Sequence, residues 1–247
     1  MEITLHILRQ PQPGLAPQLQ SYTLAVSPQQ TLLDCLNEIK WRQDGSLAYR
    51  KNCRNAICGS CGMRVNGRPI LACQESVGQA FTWLENNGQE HQQQLTLSPL
   101  GNLPVIKDLV VDMQPFWQDL EAVAPYLRRL GPNSAPSQEY LQTPQQRASL
   151  NKVENCILCG ACYSDCDAKA KNKSFVGPHA LAKVNRYILD SRDQTSKSRL
   201  EQQNQGTQGL WGCNSCKMCN LSCPMGVAPL TQIEELKIRL FDLLDPL

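Results

Sequence analysis

The chain has 247 residues, which suggests two modest domains rather than one large one, with 19% charged residues and a formal net charge of only +2. So even a balance sets up no field for a polyanion, and a nucleic-acid partner is not indicated. No apolar run approaches the roughly 20 residues needed to cross a bilayer, and Met1-Glu2-Ile3-Thr4-Leu5 lacks the basic-then-apolar form of a secretory signal, so the chain is expected to be soluble and to reach a membrane only through partners.

The first hundred residues read mainly as strands. Ile3, Leu5 and Ile7 alternate with polar neighbours, as do Tyr22, Leu24 and Val26, the period-2 signal of a half-buried strand pair joined through the Pro-rich stretch from Pro11 to Pro17. Thr31 is a predicted N-cap with Asp34 three residues on, and Leu32, Leu33, Cys35, Leu36 and Ile39 follow at helical spacing. That places Cys35 on an apolar face, as a core residue rather than a ligand. Met63-Arg64-Val65 and Ile70-Leu71-Ala72 flank Asn66-Gly67, a dipeptide that accepts positive φ at both positions and closes a tight hairpin. A strand near Leu95 to Leu97 completes a small mixed sheet with one helix.

After about residue 105 the pattern turns helical. Thr143, Pro144 and Gln146 start a helix expected to run directly into Cys156. Another starts at Pro178 with Leu181, Val184 and Ile188 on one face, and a third near Pro229 with Ile233, Leu236, Leu240 and Leu243. Gly131 to Gln142 and Gln202 to Gly209 read as loops. The cysteines on either side of the Pro178 helix can meet only if the chain folds back.

Cysteine is the outlier in composition. There are 13, and 12 of them fall into three tight groups, the pattern of metal ligation in a reducing compartment rather than of a disulfide framework. The first group, Cys53, Cys58, Cys61 and Cys73, has the C-x4-C-x2-C…C spacing of plant-type 2Fe-2S proteins, and Ala56, Gly59, Ser60 and Gly62 allow close backbone approach and peptide N–H groups aimed at the sulfurs. Cys156, Cys159, Cys162 and Cys166 repeat the x2, x2, x3 spacing of Cys213, Cys216, Cys219 and Cys223. In such pairs the fourth cysteine crosses to the other cluster. The expected sets are therefore Cys156, Cys159, Cys162 and Cys223 on one 4Fe-4S cluster, and Cys166, Cys213, Cys216 and Cys219 on a second.

Structural zinc is the rival metal and would make the chain an interaction module. Zinc takes two separate pairs, whereas a run of three followed by x3 leaves a surplus thiolate. His6, His91 and His179 lie far apart and near no nucleophile, no G-x-G-x-x-G follows a strand, and no catalytic residue is assigned. The chain is thus expected to move electrons while a partner does the bond chemistry.

These cysteine groups, with Arg54-Asn55-Ala56-Ile57-Cys58-Gly59-Ser60-Cys61-Gly62, Asp108-Leu109-Val110-Val111-Asp112-Met113, Val176-Gly177-Pro178 and Asp190-Ser191-Arg192-Asp193, resemble the iron-sulfur subunit of succinate dehydrogenases and fumarate reductases over nearly the whole chain. The resemblance implies an α+β protein: a β-grasp 2Fe-2S ferredoxin-like domain over 1–105, then an all-α ferredoxin-like domain over 106–247 with two further clusters. It implies electron transfer between an FAD-bearing flavoprotein subunit and a membrane-anchor partner, with the chain held peripherally at the cytoplasmic face of a membrane. Iron-sulfur subunits of other flavin dehydrogenases, glycolate- or thiol-linked, are the alternative, although those often carry Cys-Cys-Gly repeats that are absent here.

Most members of that family lack a cysteine at the place of Cys216 and hold a 3Fe-4S last cluster. A thiolate there predicts 4Fe-4S at lower potential, and 3Fe-4S if Cys216 does not ligate. Many relatives also build a quinone pocket from a Pro, a Trp and a His at places that here hold Asp167, no Trp through Asn172, and Asn214. The usual quinone pocket is therefore not implied, and the likeness is to a divergent group with unlike anchors. Arg50, Lys51, Arg54, Arg64 and Arg68 surround the first group and read either as a dock for an acidic flavoprotein surface or as solvated faces.

Overall fold

The computed structural model describes residues 1–131 and 138–244. The chain divides into two compact units: Met1–Met113 with Ile157–Ser164, and Gln114–Cys156 with the chain from Asp165 onward.

In the first unit, β1 (Glu2–Arg9) pairs antiparallel with β2 (Gln18–Ala25), in register from Glu2 opposite Ala25 to Arg9 opposite Gln18. Ile3, Leu5 and Ile7 bury one face as their alternation requires. Helix α1 (Leu32–Arg42) starts where Thr31 accepts the Asp34 N–H at 3.2 Å. Its buried stripe includes Leu32, Leu36 and Ile39, with Cys35 fully inside the core. β3 (Gly62–Val65) and β4 (Arg68–Leu71) form the hairpin, with Asn66 at φ 47° and Gly67 at φ 81°.

A second helix, α2 (Val77–Asn86), corrects the expectation of one. Ser76 and Gln79 form a reciprocal capping box, and Val77, Ala80, Phe81 and Leu84 are buried, a signal that was present in the residues. β5 (Gln94–Ser98) then enters the middle of the sheet, parallel to β1 and antiparallel to β3, giving the order β2-β1-β5-β3-β4. This mixed sheet folded over α1 is a β-grasp architecture.

Past residue 104, where helix is expected, the chain makes a small hairpin from β6 (Val105–Lys107) and β7 (Val110–Val111). Asp108 turns it at φ 48° and is buried, accepting from Gln10 N at 3.0 Å and Ala48 N at 2.9 Å and pairing with Arg9 at 3.1 Å. Three distant segments are stapled by one carboxylate, and this overrides helical pattern. Segment 157–164 is bound to the same unit by Gly101 N to Ser164 Oγ at 2.8 Å and by Asn102 Nδ2 to Tyr163 O at 2.9 Å.

The second unit is helical. α3 (Gln114–Ala122) buries Phe116 and Leu120. α4 (Pro144–Ala148) has the expected Thr143–Gln146 capping box but stops after five residues, so it does not reach Cys156; a 3₁₀ turn, Val153–Asn155, leads in instead. No apolar stripe follows Ala148 to hold a longer helix, since only Leu150 and Val153 of that stretch are buried. α5 (Ala161–Ser164) belongs with the first unit, and α6 (Asp167–Lys171) starts at Cys166.

α7 (Gly177–Ile188) begins with Gly177 at φ 86° and Pro178 in its first turn. α8 (Ser196–Gln202) ends where the expected loop 202–209 begins, and a single 3₁₀ turn, Gly206–Gln208, falls within that loop. Part of the other expected loop, residues 132–137, lies outside the described residues. α9 (Met218–Leu221) is one turn, and α10 (Pro229–Leu244) packs along α7 with Ile233, Leu236 and Leu240 buried.

Asp193 and Arg199 form a buried pair at 2.9 Å, and Arg199 also donates to the carbonyls of Ala124, at 2.7 Å, and Tyr126. Asp190 takes Arg186 at 2.7 Å and Arg192 at 2.8 Å, which gives the Asp190-Ser191-Arg192-Asp193 motif a structural task. Among the described residues no helix is long and apolar enough to cross a membrane.

Candidate metal centres

The first thiol set sits on the turn-rich stretch between α1 and β3, and the β3–β4 hairpin returns its fourth member. Arg54, Ala56 and Gly59 lie at φ 56°, 52° and 70°, a run of left-handed residues that turns peptide N–H groups inward. Asn55 N and Cys58 N donate to Cys53 Sγ at 3.3 and 3.4 Å, and Ala56 N donates to Cys73 Sγ at 3.4 Å. Cys58 is drawn down to about 6 by hydrogen bonds, first from the Ser60 side chain and then from the Cys53 backbone. Burial pushes the Cys61 thiol up to about 12, with the charges of Cys73 and Cys58 adding to it. The four thiols therefore share one electrostatic site. A donor set of four sulfurs with N–H groups aimed at them fits a 2Fe-2S cluster.

The second and third loops have the same local fold at the same offsets. A 3₁₀ turn ends just before Cys156, and another, Leu210–Gly212, ends just before Cys213. Two residues on, Leu158 and Ser215 lie at φ 55° and 56°; four residues on, Gly160 and Lys217 lie at 82° and 65°. Each loop then enters a one-turn helix, α5 or α9. A lysine from a long helix reaches the carbonyl of each first cysteine at 3.4 Å, Lys183 of α7 to Cys156 O and Lys237 of α10 to Cys213 O. Cys216 thus stands in its loop where Cys159 stands in the other.

The surroundings of the two loops differ. Gly160 is buried, with Leu100 and Met113 over the place a side chain would take, whereas Asn214 to Met218 are all exposed. Within the third set, burial pushes Cys219 up to about 12 and the charges of Cys213, Cys166 and Cys216 reinforce it. Burial likewise raises Cys166 to about 11, with Cys216 and Cys213 contributing. The chain has folded back, and these four thiols feel one another. A group of four neighbouring sulfur donors suits an iron-sulfur cluster. Cys159 and Cys162 belong to the first unit, Cys156 and Cys223 to the second. Among the described residues no group of three or more His, Cys, Asp or Glu is arranged to hold a single metal ion.

The remaining candidates have structural or surface roles. Cys35 lies in the core, its thiol pushed up to about 12 by burial. His6 bonds Ser21 at 2.8 Å, His91 stacks on Phe81, and His179 is buried with Nε2 3.0 Å from Phe116 O. Of the basic residues, Arg68 pairs with Glu75 over Trp83 and Lys51 sits over Trp41, while Arg50 and Arg54 are exposed. Asn214 Nδ2 donates to Asp167 at 2.7 Å, and Lys171 pairs with the same carboxylate at 2.7 Å, a polar link across α6 and the third loop. Sequence reasoning missed Lys183 and Lys237; nothing but their place on the two long helices could have indicated them.

Family models match at both ends: a 2Fe-2S iron-sulfur cluster binding domain over residues 4–118 and a 4Fe-4S dicluster domain over residues 152–227. With the thiol geometry, these define an electron-transfer protein carrying 2Fe-2S and 4Fe-4S clusters. The fumarate reductase iron-sulfur subunit of Haemophilus influenzae is 36% identical over 248 residues, covering 96% of this chain and 92% of its own. The rice mitochondrial succinate dehydrogenase [ubiquinone] iron-sulfur subunit 1 is 38% identical over 227 residues, 91% of this chain and 76% of that one. The chain belongs to the family of succinate dehydrogenase and fumarate reductase iron-sulfur subunits. A chain of the Mycobacterium smegmatis Sdh1 complex in the apo form has the same fold, with a TM-score of 0.82 at 24% identity over all of this chain and 98% of that one.

Proposed function

We propose that the chain relays electrons between an FAD-containing flavoprotein subunit and a membrane-anchor partner in a complex that interconverts succinate and fumarate, and has no substrate site of its own. Residues 1–105 act as the 2Fe-2S domain and 106–247 as the helical domain, peripheral to the cytoplasmic face of a membrane. Cys53, Cys58, Cys61 and Cys73 hold the 2Fe-2S cluster, and Cys156, Cys159, Cys162 and Cys223 a 4Fe-4S cluster. Cys166, Cys213, Cys216 and Cys219 hold a second 4Fe-4S cluster. When bound, the clusters supply one-electron acceptance and donation. The chain's own residues supply the thiolates and aim peptide N–H groups at them. Exposed Arg50 and Arg54 beside the first set suit an acidic flavoprotein surface. Asn214 donates to Asp167 at the places where many relatives build part of a quinone pocket, so the usual pocket is not carried over.

The repeat between the two helical-domain loops carries the assignment of Cys216: same backbone, same offset, same place as Cys159. Anaerobically purified complex should contain about ten irons per chain and reduce a dye and quinone with succinate. In Cys216→Ser the third centre should lose one iron and show a 3Fe-4S EPR signal when oxidised. Wild-type protein that already shows that signal without oxidation excludes Cys216 as a ligand, and colourless, iron-free protein that binds zinc overturns the whole reading.

A further inference from the structure

Two glycines of the first cysteine loop lie against a cysteine of the second. Gly59 follows Cys58, and a β-carbon placed on it would stand 2.9 Å from Cys159 Cα, 3.0 Å from Cys159 Cβ and 3.1 Å from Ile157 O. Gly62 follows Cys61, and its β-carbon would stand 2.9 Å from Cys159 O. These neighbours are backbone or Cβ atoms, which cannot swing aside as the end of a flexible side chain can. Gly59 also lies at φ 70°, and Gly62 N donates to Gly59 O at 3.3 Å, so the loop is closed around this approach. Two cysteines of the first set are thus each one peptide from van der Waals contact with Cys159.

We propose that Gly59 and Gly62 are positioning residues for electron transfer from the first centre to the second: by having no side chain they let the Cys58–Gly62 loop touch Cys159, so that a single electron crosses by direct contact with no bond made or broken. This rests on the proposed assignment of Cys58 and Cys61 to one centre and Cys159 to the next. An added methyl group forces the loop and Cys159 apart by several tenths of an ångström or more. It changes no ligand.

The test uses the assembled complex carrying Gly59→Ala, Gly62→Ala or both. Expected are unchanged iron content and unchanged potentials of each centre, severalfold slower electron equilibration between the first two centres after flash photoreduction, and weaker relaxation enhancement of the reduced first centre's EPR signal by the reduced second. The double variant should be slowest. Gly78→Ala, crowded to 3.0 Å against Pro28 O, with Pro28 atoms and no cysteine next to the added β-carbon, should leave both readouts at wild-type values. Equilibration and relaxation unchanged in the double variant, with all iron present, overturn the proposal. Should the variants fail to assemble, wild-type protein decides: a first-centre signal whose relaxation does not respond to reduction of the second is equally fatal. Failure of the underlying assignment looks different, because Cys159→Ser would then leave the second centre's iron intact.

Discussion

Two loops of this protein, 156–162 and 213–219, share one backbone course and lead separate lives. Both enter from a 3₁₀ turn, bend left-handed at the third and fifth positions, and exit into a one-turn helix. The fifth position is glycine in one and lysine in the other. At Gly160 the side-chain space is tight, with Leu100 Cδ1 3.2 Å from where a β-carbon would stand, so the left-handed turn there favours glycine. At Lys217 the same turn faces solvent and tolerates a side chain at a modest backbone cost. The spacing of thiols dictates a local fold, and the neighbours decide what that fold can carry.

The scaffold under the second-unit thiols is the strongest lever on this difference. Asp193→Ala strands Arg199, which is buried with it, and should cost about 3–5 kcal/mol in denaturant unfolding. The spectrum of the third centre should be lost at lower denaturant than that of the first, and simultaneous loss would show that the units do not unfold separately.

Acid should also act on the second unit. His179 is wholly buried beside Phe116, with Lys169 and Lys183 facing it and Lys169 itself paired to Asp119; burial first, then those lysine charges, lower its pKa to about 3. The folded state keeps it neutral while the unfolded chain protonates below about 6.5, so stability is intact above that pH and is lost as pH falls from about 6.5 towards 3. The slope approaches about 1.4 kcal/mol per pH unit for one proton. His179→Gln should flatten the stability profile over this window, and an unaltered profile would remove His179 as its source.

The glycine and lysine can be exchanged directly. Gly160→Ala should destabilise by about 1–2 kcal/mol from backbone strain alone, with crowding added, whereas Lys217→Gly should change stability by less than about 1 kcal/mol. Comparable effects would break the contrast. The smallest expected effects come from Lys183→Met and Lys237→Met, each removing one hydrogen bond to a first-cysteine carbonyl and costing about 0.5–1.5 kcal/mol. Similar losses in thermal unfolding would support equivalent roles, and a large inequality would confine the role to one loop.

Much of the molecule was legible in the residues. Thr31, Thr143 and the Asn66-Gly67 turn act as their local chemistry demands, because caps and tight turns are satisfied within four residues. The Ser76–Gln79 capping box is equally local, but the helix it starts buries only a short apolar stripe that periodicity alone does not single out. The β6–β7 hairpin could not be read: it depends on Asp108 meeting Arg9, Gln10 and Ala48, partners up to a hundred residues away that no window along the chain contains.

The sequence by itself determined which thiols belong to which kind of loop, since ligand spacing is a covalent property of the chain, and it determined the alternation and caps that build the sheet and long helices. Only tertiary structure decided that Gly59 and Gly62 meet Cys159 and that one loop is covered while its double is open. Such approaches are fixed by packing between segments distant along the chain, where shape and burial, rather than residue type, set the distance.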